Sequence, residues 1–292
     1  MNNFKASYEK ILTYLKTLTV KENFLYQIRK PKLSDIELIA MSLTAEYLSI
    51  DSECQLFRFL PDELSEKIER SVFNKRKRKL FPHIAMFQKH IASAFTSSED
   101  YYVIDSMPLE VTKLSRSGRS KICKEDYLSA PDKGYCASQQ MYYYGYKLHA
   151  VCSLNGVFKS FDITRASVHD IHYLKDVKDQ LNHCVLLGDR GYISTEVQLN
   201  LFETQNIKLE VPMRNNQHNY RKQAYIFRKS RKRIETLFSQ LCDQFMIRRN
   251  YAKSFEGFKT RILTKITALT IIQAINKFVL ERNMNNIKIN IA

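Results

Sequence analysis

The chain has 292 residues, 44% of them hydrophobic, enough to build two domains with real cores. Lys and Arg number 46 against 30 Asp and Glu, a formal net charge of +16, and so large a surplus usually faces a polyanion, most often nucleic acid. The best apolar run, Ala268 to Ile275, is short and holds Gln273, and Met1 to Lys5 carries no apolar signal segment, so no membrane span and a cytoplasmic location are expected.

Residues 1 to 98 read as an all-helical, basic domain. Phe4, Tyr8, Ile11, Leu12 and Leu15 recur at helical spacing. Ser34-Asp35-Ile36-Glu37 fits a capping box, followed by one apolar stripe through Ile39, Ala40, Leu43 and Tyr47. A break at Ser49 to Ser52 precedes a helical run through Cys54, Phe57 and Leu60, which Pro61 ends. The pair fits a helix-turn-helix or plain antiparallel packing equally well. Next comes Lys75-Arg76-Lys77-Arg78-Lys79. The stretch Lys67 to Lys89 carries a net +7 and Lys208 to Arg261 a net +10, leaving the rest near neutral. Charge so concentrated beside apolar Leu80, Phe81, Ile84 and Phe87 favours a phosphate-binding surface, with Lys75, Arg76 and Arg78 as DNA contacts.

From residue 99 to 292 the texture changes to α/β. Tyr101 to Asp105 is an apolar strand that ends on an acid. The basic segment between Val111 and Gln140, which includes Arg116 and Arg119, is a long loop leaving beside Asp105, suited to gripping DNA. Met141 to Asn155 and Val157 to Thr164 are strands joined by an Asn155-Gly156 turn. A helix from Ser167 to about Leu181 follows, with Ser167-x-x-Asp170 as a capping-box variant. Cys184 to Asp189 is a further strand ending on an acid. A helix over Thr195 to Gln205, a strand over Ile207 to Pro212, and helices from about Ala224 to Phe245 and Phe255 to Leu280 complete a mixed-sheet domain. That is the element order of a ribonuclease H-like core. The six cysteines are scattered, with no C-x-x-C pair, and read as reduced thiols; Cys123, Cys136 and His149 match no common zinc spacing.

Asp105 and Asp189 each end an apolar strand, an expensive place for a carboxylate unless a ligand uses it. Two adjacent carboxylates repel, and a divalent cation with hard-oxygen preference keeps both ionised. Glu235 lies on the border of the apolar stripe Ile234, Leu237, Phe238 and Leu241, within a segment dense in Lys and Arg. It reads either as an i, i+4 partner of Arg231 or as a third metal ligand, with Arg228 and Arg231 on phosphate.

Asp105, Asp189 and Glu235, 84 and 46 positions apart, resemble the acidic triad of DDE transposases of bacterial insertion sequences. The surrounding words are more specific: Asn74 to Leu80, Val103-Ile104-Asp105-Ser106-Met107-Pro108, Tyr144-Gly145-Tyr146-Lys147-Leu148-His149, Val168-His169-Asp170, Leu187-Gly188-Asp189-Arg190-Gly191-Tyr192 and Arg233 to Leu241. Together these resemble the 982 family of insertion sequences from about residue 34 to 270. The resemblance implies Asp105, Asp189 and Glu235 as catalytic metal ligands. It implies two Mg²⁺ ions per site, with Mn²⁺ as a substitute, and cleavage and strand transfer on double-stranded DNA at terminal inverted repeats and target. It also implies a homodimer or higher multimer on DNA. Arg190 is expected to touch DNA, and His169 is either a neighbour of the metal site or part of the helix cap. One departure stands out: Arg228 occupies a position where many relatives carry Tyr, and Cys242 one where they carry Lys. A nuclease on the same core and a non-catalytic DNA-binding regulator are the rival readings.

Overall fold

Ser34 and Glu37 form the full capping box that the sequence predicts: the Ser34 hydroxyl accepts from the Glu37 N–H, and the Glu37 carboxylate accepts from the Ser34 N–H. The structure, a computed structural model, describes residues 4–95, 100–213, 216 and 220–291. The chain divides into two compact units, Met1–Ala92 with Gln240–Ala292, and Ser93–Ser239.

The first unit is helical. It holds α1 (Phe4–Leu18), α2 (Asp35–Tyr47), α3 (Glu53–Phe59), α4 (Asp62–Ser65), α5 (Arg70–Lys79) and most of α6 (Phe81–Ala94). α1 buries Phe4, Tyr8, Ile11 and Leu15, as its periodicity requires. α2 departs from expectation: residues on every side of it are buried, because α1 and the C-terminal helix α10 (Phe255–Ala274) both pack on it. Here the sequence division at 98/99 needs amending. Residues 96–99 lie outside the described residues, and the last helix belongs with the N-terminal helices, not with the sheet. The reason is chemical. Almost every residue of α10 from Ile262 onward is buried, and its Lys265 reaches Glu46 of α2. Continued into the turn that ends at Val279, this is the one described helix long and apolar enough to cross a membrane, and its most apolar stretch is 83% buried within the protein.

The basic run on α5 is also split by burial. Lys75 and Arg78 are exposed. Arg76 is not: its guanidinium donates to the Leu33 carbonyl at 2.9 Å and to the Asp35 carboxylate at 2.5 Å. Asp35, fully buried, also accepts from the Phe24 and Leu25 N–H groups. Arg76 therefore pins the loop before α2, and it is withdrawn as a DNA contact.

The second unit is a six-stranded mixed sheet. Its strands are β1 (Tyr101–Thr112), β2 (Asp132–Cys136), β3 (Met141–Ser153), β4 (Phe158–Arg165), β5 (Cys184–Leu187) and β6 (Ile207–Glu210). The order is β4-β3-β1-β5-β6, with β2 also pairing with β3. β3 runs antiparallel to β1 and β4, while β1, β5 and β6 are parallel. At Gly145 of β3 a Cβ would sit 2.1 Å from the Leu109 carbonyl oxygen of β1, so only glycine fits. Tyr102, Ile104, Leu186 and Leu209 form one core with Tyr173, Leu174, Tyr192 and Leu201. α7 (Leu174–Val177) lies between β4 and β5 in the chain, α8 (Thr195–Gln205) between β5 and β6, and α9 (Tyr225–Asp243) follows β6.

Three sequence expectations change here. Asp105 lies inside β1, which continues seven residues further to Thr112. The Val111 to Gln140 segment thus leaves the sheet about 23 Å beyond Asp105, at roughly 3.3 Å per residue, and it contains a 3₁₀ turn (Leu114–Arg116) and β2. The helix expected from Ser167 shrinks to a 3₁₀ turn, Asp170–Tyr173, and α7, with His169 as its cap.

Candidate active site

The two strand carboxylates meet where β1 and β5 part. Their parallel pairing ends at Val103 opposite Leu187. Asp105 stands two residues past Val103 and Asp189 two past Leu187, so equal register carries both acids to one edge, the carboxyl end of the parallel strands. Asp105 accepts from the Ser106 N–H at 2.8 Å. Asp189 accepts from the Gly191 N–H at 2.8 Å and caps the 3₁₀ turn Arg190–Tyr192. Burial pushes the Asp105 carboxyl up to about 7; the Ser106 N–H opposes it, the Asp189 charge adds to it, the Arg231 guanidinium opposes it and Asp170 adds to it.

Asp170 is the residue that sequence reasoning placed elsewhere. Its Oδ1 accepts from the Ser106 hydroxyl at 3.0 Å and from Lys147 Nζ at 2.9 Å, and lies 3.8 Å from His149 Nδ1. Ser106, Lys147 and His149 share one face of the β1–β3 ladder, in which Ser106 pairs with His149. On the other side, a Cβ added to Gly191 would lie 3.3 Å from Asp170 Oδ2 and 3.0 Å from Asp189 Oδ1. Asp170 thus lies between the turn that carries Asp189 and the β1–β3 ladder. Ser167 does not cap this segment; its hydroxyl bonds the Asp132 carboxylate. His149 is buried, bonds Thr164 Oγ1 at 2.8 Å and stacks on Tyr173, and burial lowers its pKa so that it stays neutral. The Tyr192 phenol, fully buried, is raised first by burial and then by Asp170, Asp105 and Asp189.

Side-chain contacts hold α9 to this sheet. Phe227 meets Tyr101, with ring centroids 6.2 Å apart; the Arg233 Nε–H reaches the Leu154 carbonyl at 3.4 Å; and Phe238 stacks on Phe158. Arg231, half-buried, acts on Asp105 from that helix. Glu235, one turn on, is exposed. Among the described residues, no group of three His, Cys, Asp or Glu side chains is placed to hold a metal. The Asp105–Asp189 pair nonetheless offers hard oxygen donors on a desolvated edge, a donor set that suits a divalent cation of the Mg²⁺ kind.

A family model described as the transposase DDE domain matches residues 96–271. The chain belongs to this family. Among curated proteins none matches. A solved structure, the Mos1 transposase paired-end complex with left transposon end, is similar at 11% identity over 90% of this chain and 86% of that one, with a TM-score of 0.24. As a member of the DDE transposase family, the chain is concerned with DNA recombination and transposition, and Asp105 and Asp189 lie inside the matched region.

The remaining predicted residues separate by exposure. Lys75, Arg78, Arg116, Arg119, Arg190 and Arg228 are exposed; Arg228 lies over the Tyr225 ring, 5.9 Å from its centroid. His169 is exposed as well, and its Nδ1 accepts from the Ile171 N–H at 3.4 Å, a capping contact. The capping alternative thus describes His169, while Asp170 takes the place beside the carboxylates. Burial and a short Ser106–Asp170–Lys147 chain were the signals for it, and neither is visible in a linear pattern.

Proposed function

We propose that this protein is the transposase of an insertion sequence of the 982 family, cutting double-stranded DNA at the element's terminal repeats and joining the ends to target DNA. The observation that carries the reading is the equal register of Asp105 and Asp189 at one strand edge. The strand order β4-β3-β1-β5-β6, antiparallel across β3 and parallel from β1 onward, supports a ribonuclease H-like core.

Asp105 and Asp189 would hold a divalent cation, Mg²⁺ with Mn²⁺ as substitute, with Glu235 brought to them from α9 and two ions in the working site. When bound, the metal supplies a neutralised edge for a phosphodiester and lowers the pKa of the attacking hydroxyl. The chain's own groups do the rest. Arg231, beside Asp105, holds a phosphate at the scissile position, and Arg228 a neighbouring one. Lys147 neutralises Asp170, so that the site's remaining negative charge is that of the metal-binding pair. Lys75, Arg78, Arg116, Arg119 and Arg190 follow the DNA backbone. Acting on two ends calls for a dimer or larger assembly, and a cytoplasmic location fits the substrate.

The test uses purified protein and a labelled duplex carrying the DNA that flanks its own gene, with wild type and Asp189→Asn compared in Mg²⁺ and in EDTA. Cleavage at a fixed position with joined products, only for wild type with metal, is expected. Cutting without joining would leave a nuclease. Equal DNA binding by both proteins, with no cutting by either, would leave a DNA-binding regulator.

A further inference from the structure

The helical unit holds a charged cleft that the catalytic reading does not use. Its volume is about 240 Å³, and it lies between α3, α5 and the start of α10. Arg70, Lys77, Arg78 and Arg261 line it, together with Asn74 and Tyr251. Lys77 and Arg261 form the floor, with side chains only 10% and 13% exposed, whereas Arg70 and Arg78 stand exposed at the rim.

The charges beneath the floor do not balance. Glu46 is almost fully buried and bonds Lys265 Nζ through Oε2; its Oε1 lies 3.6 Å from Lys77 Nζ and 3.4 Å from Arg261 Nε. Three buried cations share one carboxylate. Burial disfavours its charged form, yet Lys265, Arg261 and Lys77 together hold it below the usual carboxylate range. The other acid at the cleft, Glu53, spends both oxygens on Asn74 Nδ2, at 2.7 and 2.8 Å. Three buried cations, Lys77, Arg261 and Lys265, therefore share one buried carboxylate, and Arg70 and Arg78 add positive charge at the exposed rim. The N-terminal turn of the 20-residue α10, capped by Ser254, adds the positive end of a helix to the wall.

We infer that this cleft is a phosphate-binding site, separate from the Asp105–Asp189 edge, whose ligand is a phosphate group that Arg70 and Arg78 grip at the rim and that Lys77 and Arg261 neutralise from below. A backbone phosphate of DNA and a free phosphate compound share this chemistry. The choice of DNA rests on the proposed function; the site itself does not.

The test is thermal unfolding of the full chain in inorganic phosphate against chloride at equal ionic strength. Wild type is expected to gain a saturable rise in midpoint that Arg70→Gln/Arg78→Gln loses, both positions being exposed. Lys79→Gln/Lys89→Gln, both exposed and outside the cleft lining, keeps the rise. A 30-base-pair duplex that displaces phosphate, together with a drop of about 0.9 per lost phosphate contact in the salt slope of DNA binding for Arg70→Gln/Arg78→Gln, assigns the site to DNA. Phosphate binding that duplex does not displace assigns it to a free phosphate compound. No rise beyond chloride, equal rises in wild type and Arg70→Gln/Arg78→Gln, or loss of the rise in Lys79→Gln/Lys89→Gln as well overturns the site. None of these readouts requires cleavage, so an inactive enzyme can pass and an active one can fail.

Discussion

Replacing Asp105 with Asn is expected to stabilise the metal-free protein at pH 8 while abolishing catalysis. The carboxyl is raised from 3.8 to about 7, by burial first and then by the neighbouring Asp189 and Asp170 charges. The folded state therefore holds its proton more tightly than the unfolded chain does. Stability from this group is intact below pH 4, falls as pH rises through about 7, and is lowest above that. At about 1.4 kcal/mol per tenfold change in proton affinity, the full penalty is about 4 kcal/mol. Asp105 is only half-buried, and its Arg231 attraction is lost in the variant, so about 2 kcal/mol is the net expectation. For a unit of this size that is a rise of about 5 °C in unfolding midpoint. The assay is calorimetry in EDTA at pH 5, 6, 7 and 8, with the variant's advantage growing along the series. An advantage that does not change with pH, or a variant less stable than wild type at pH 8, refutes the idea that the carboxylate is strained for metal.

Three other changes test separate parts of the structure. Gly191→Ala puts a methyl 3.0 Å from Asp189 Oδ1 and 3.3 Å from Asp170 Oδ2; cleavage is expected to fall by at least tenfold with a loss of stability under about 2 kcal/mol, and unchanged cleavage kinetics would show that the turn tolerates the shift. Arg76→Met leaves the buried Asp35 carboxylate without its cation, left with the Phe24 and Leu25 N–H groups, and takes the guanidinium from the Leu33 carbonyl, at a cost of about 3–5 kcal/mol by urea unfolding; a cost below about 1 kcal/mol would contradict the structural role given to Arg76. Glu46→Gln strips the shared counter-ion from Lys265, Lys77 and Arg261 and is expected to destabilise the helical unit by a similar amount at neutral pH, with partial recovery as rising pH discharges the lysines. A mild, pH-independent effect would contradict the charge count beneath the cleft.

Much of this molecule is legible in one dimension. The Ser34 capping box, the Asn155-Gly156 turn, α8 and the long amphipathic α9 follow from local chemistry, and Asp105 and Asp189 stand out because a carboxylate is expensive in an apolar strand. What stays hidden depends on partners far along the chain. Arg76 and Lys77 sit in a run that looks uniformly solvated, and only the positions of Asp35 and Glu46 show them to be buried. Asp170 fits a helix cap in sequence, yet Lys147 and Ser106, distant in sequence, recruit it to the site. β2 is concealed within a basic loop because its pairing strand is β3. Glu235 is the opposite case: its spacing and its neighbours on α9 single it out, and the folded chain leaves it facing solvent.

The Glu46–Lys265 pair also sets a timetable. Its members are 219 residues apart, which at 5–20 residues per second means about 10–40 s of synthesis between them. During that interval Glu46 lacks its nearest cation, and the N-terminal helices present an apolar face without α10. The sheet unit, encoded between them, has all its strands available earlier and can fold first. A copy of the gene cut short before α10 would thus be expected to yield a folded catalytic sheet with an unfinished basic unit, rather than a free DNA-binding fragment competing with the intact enzyme.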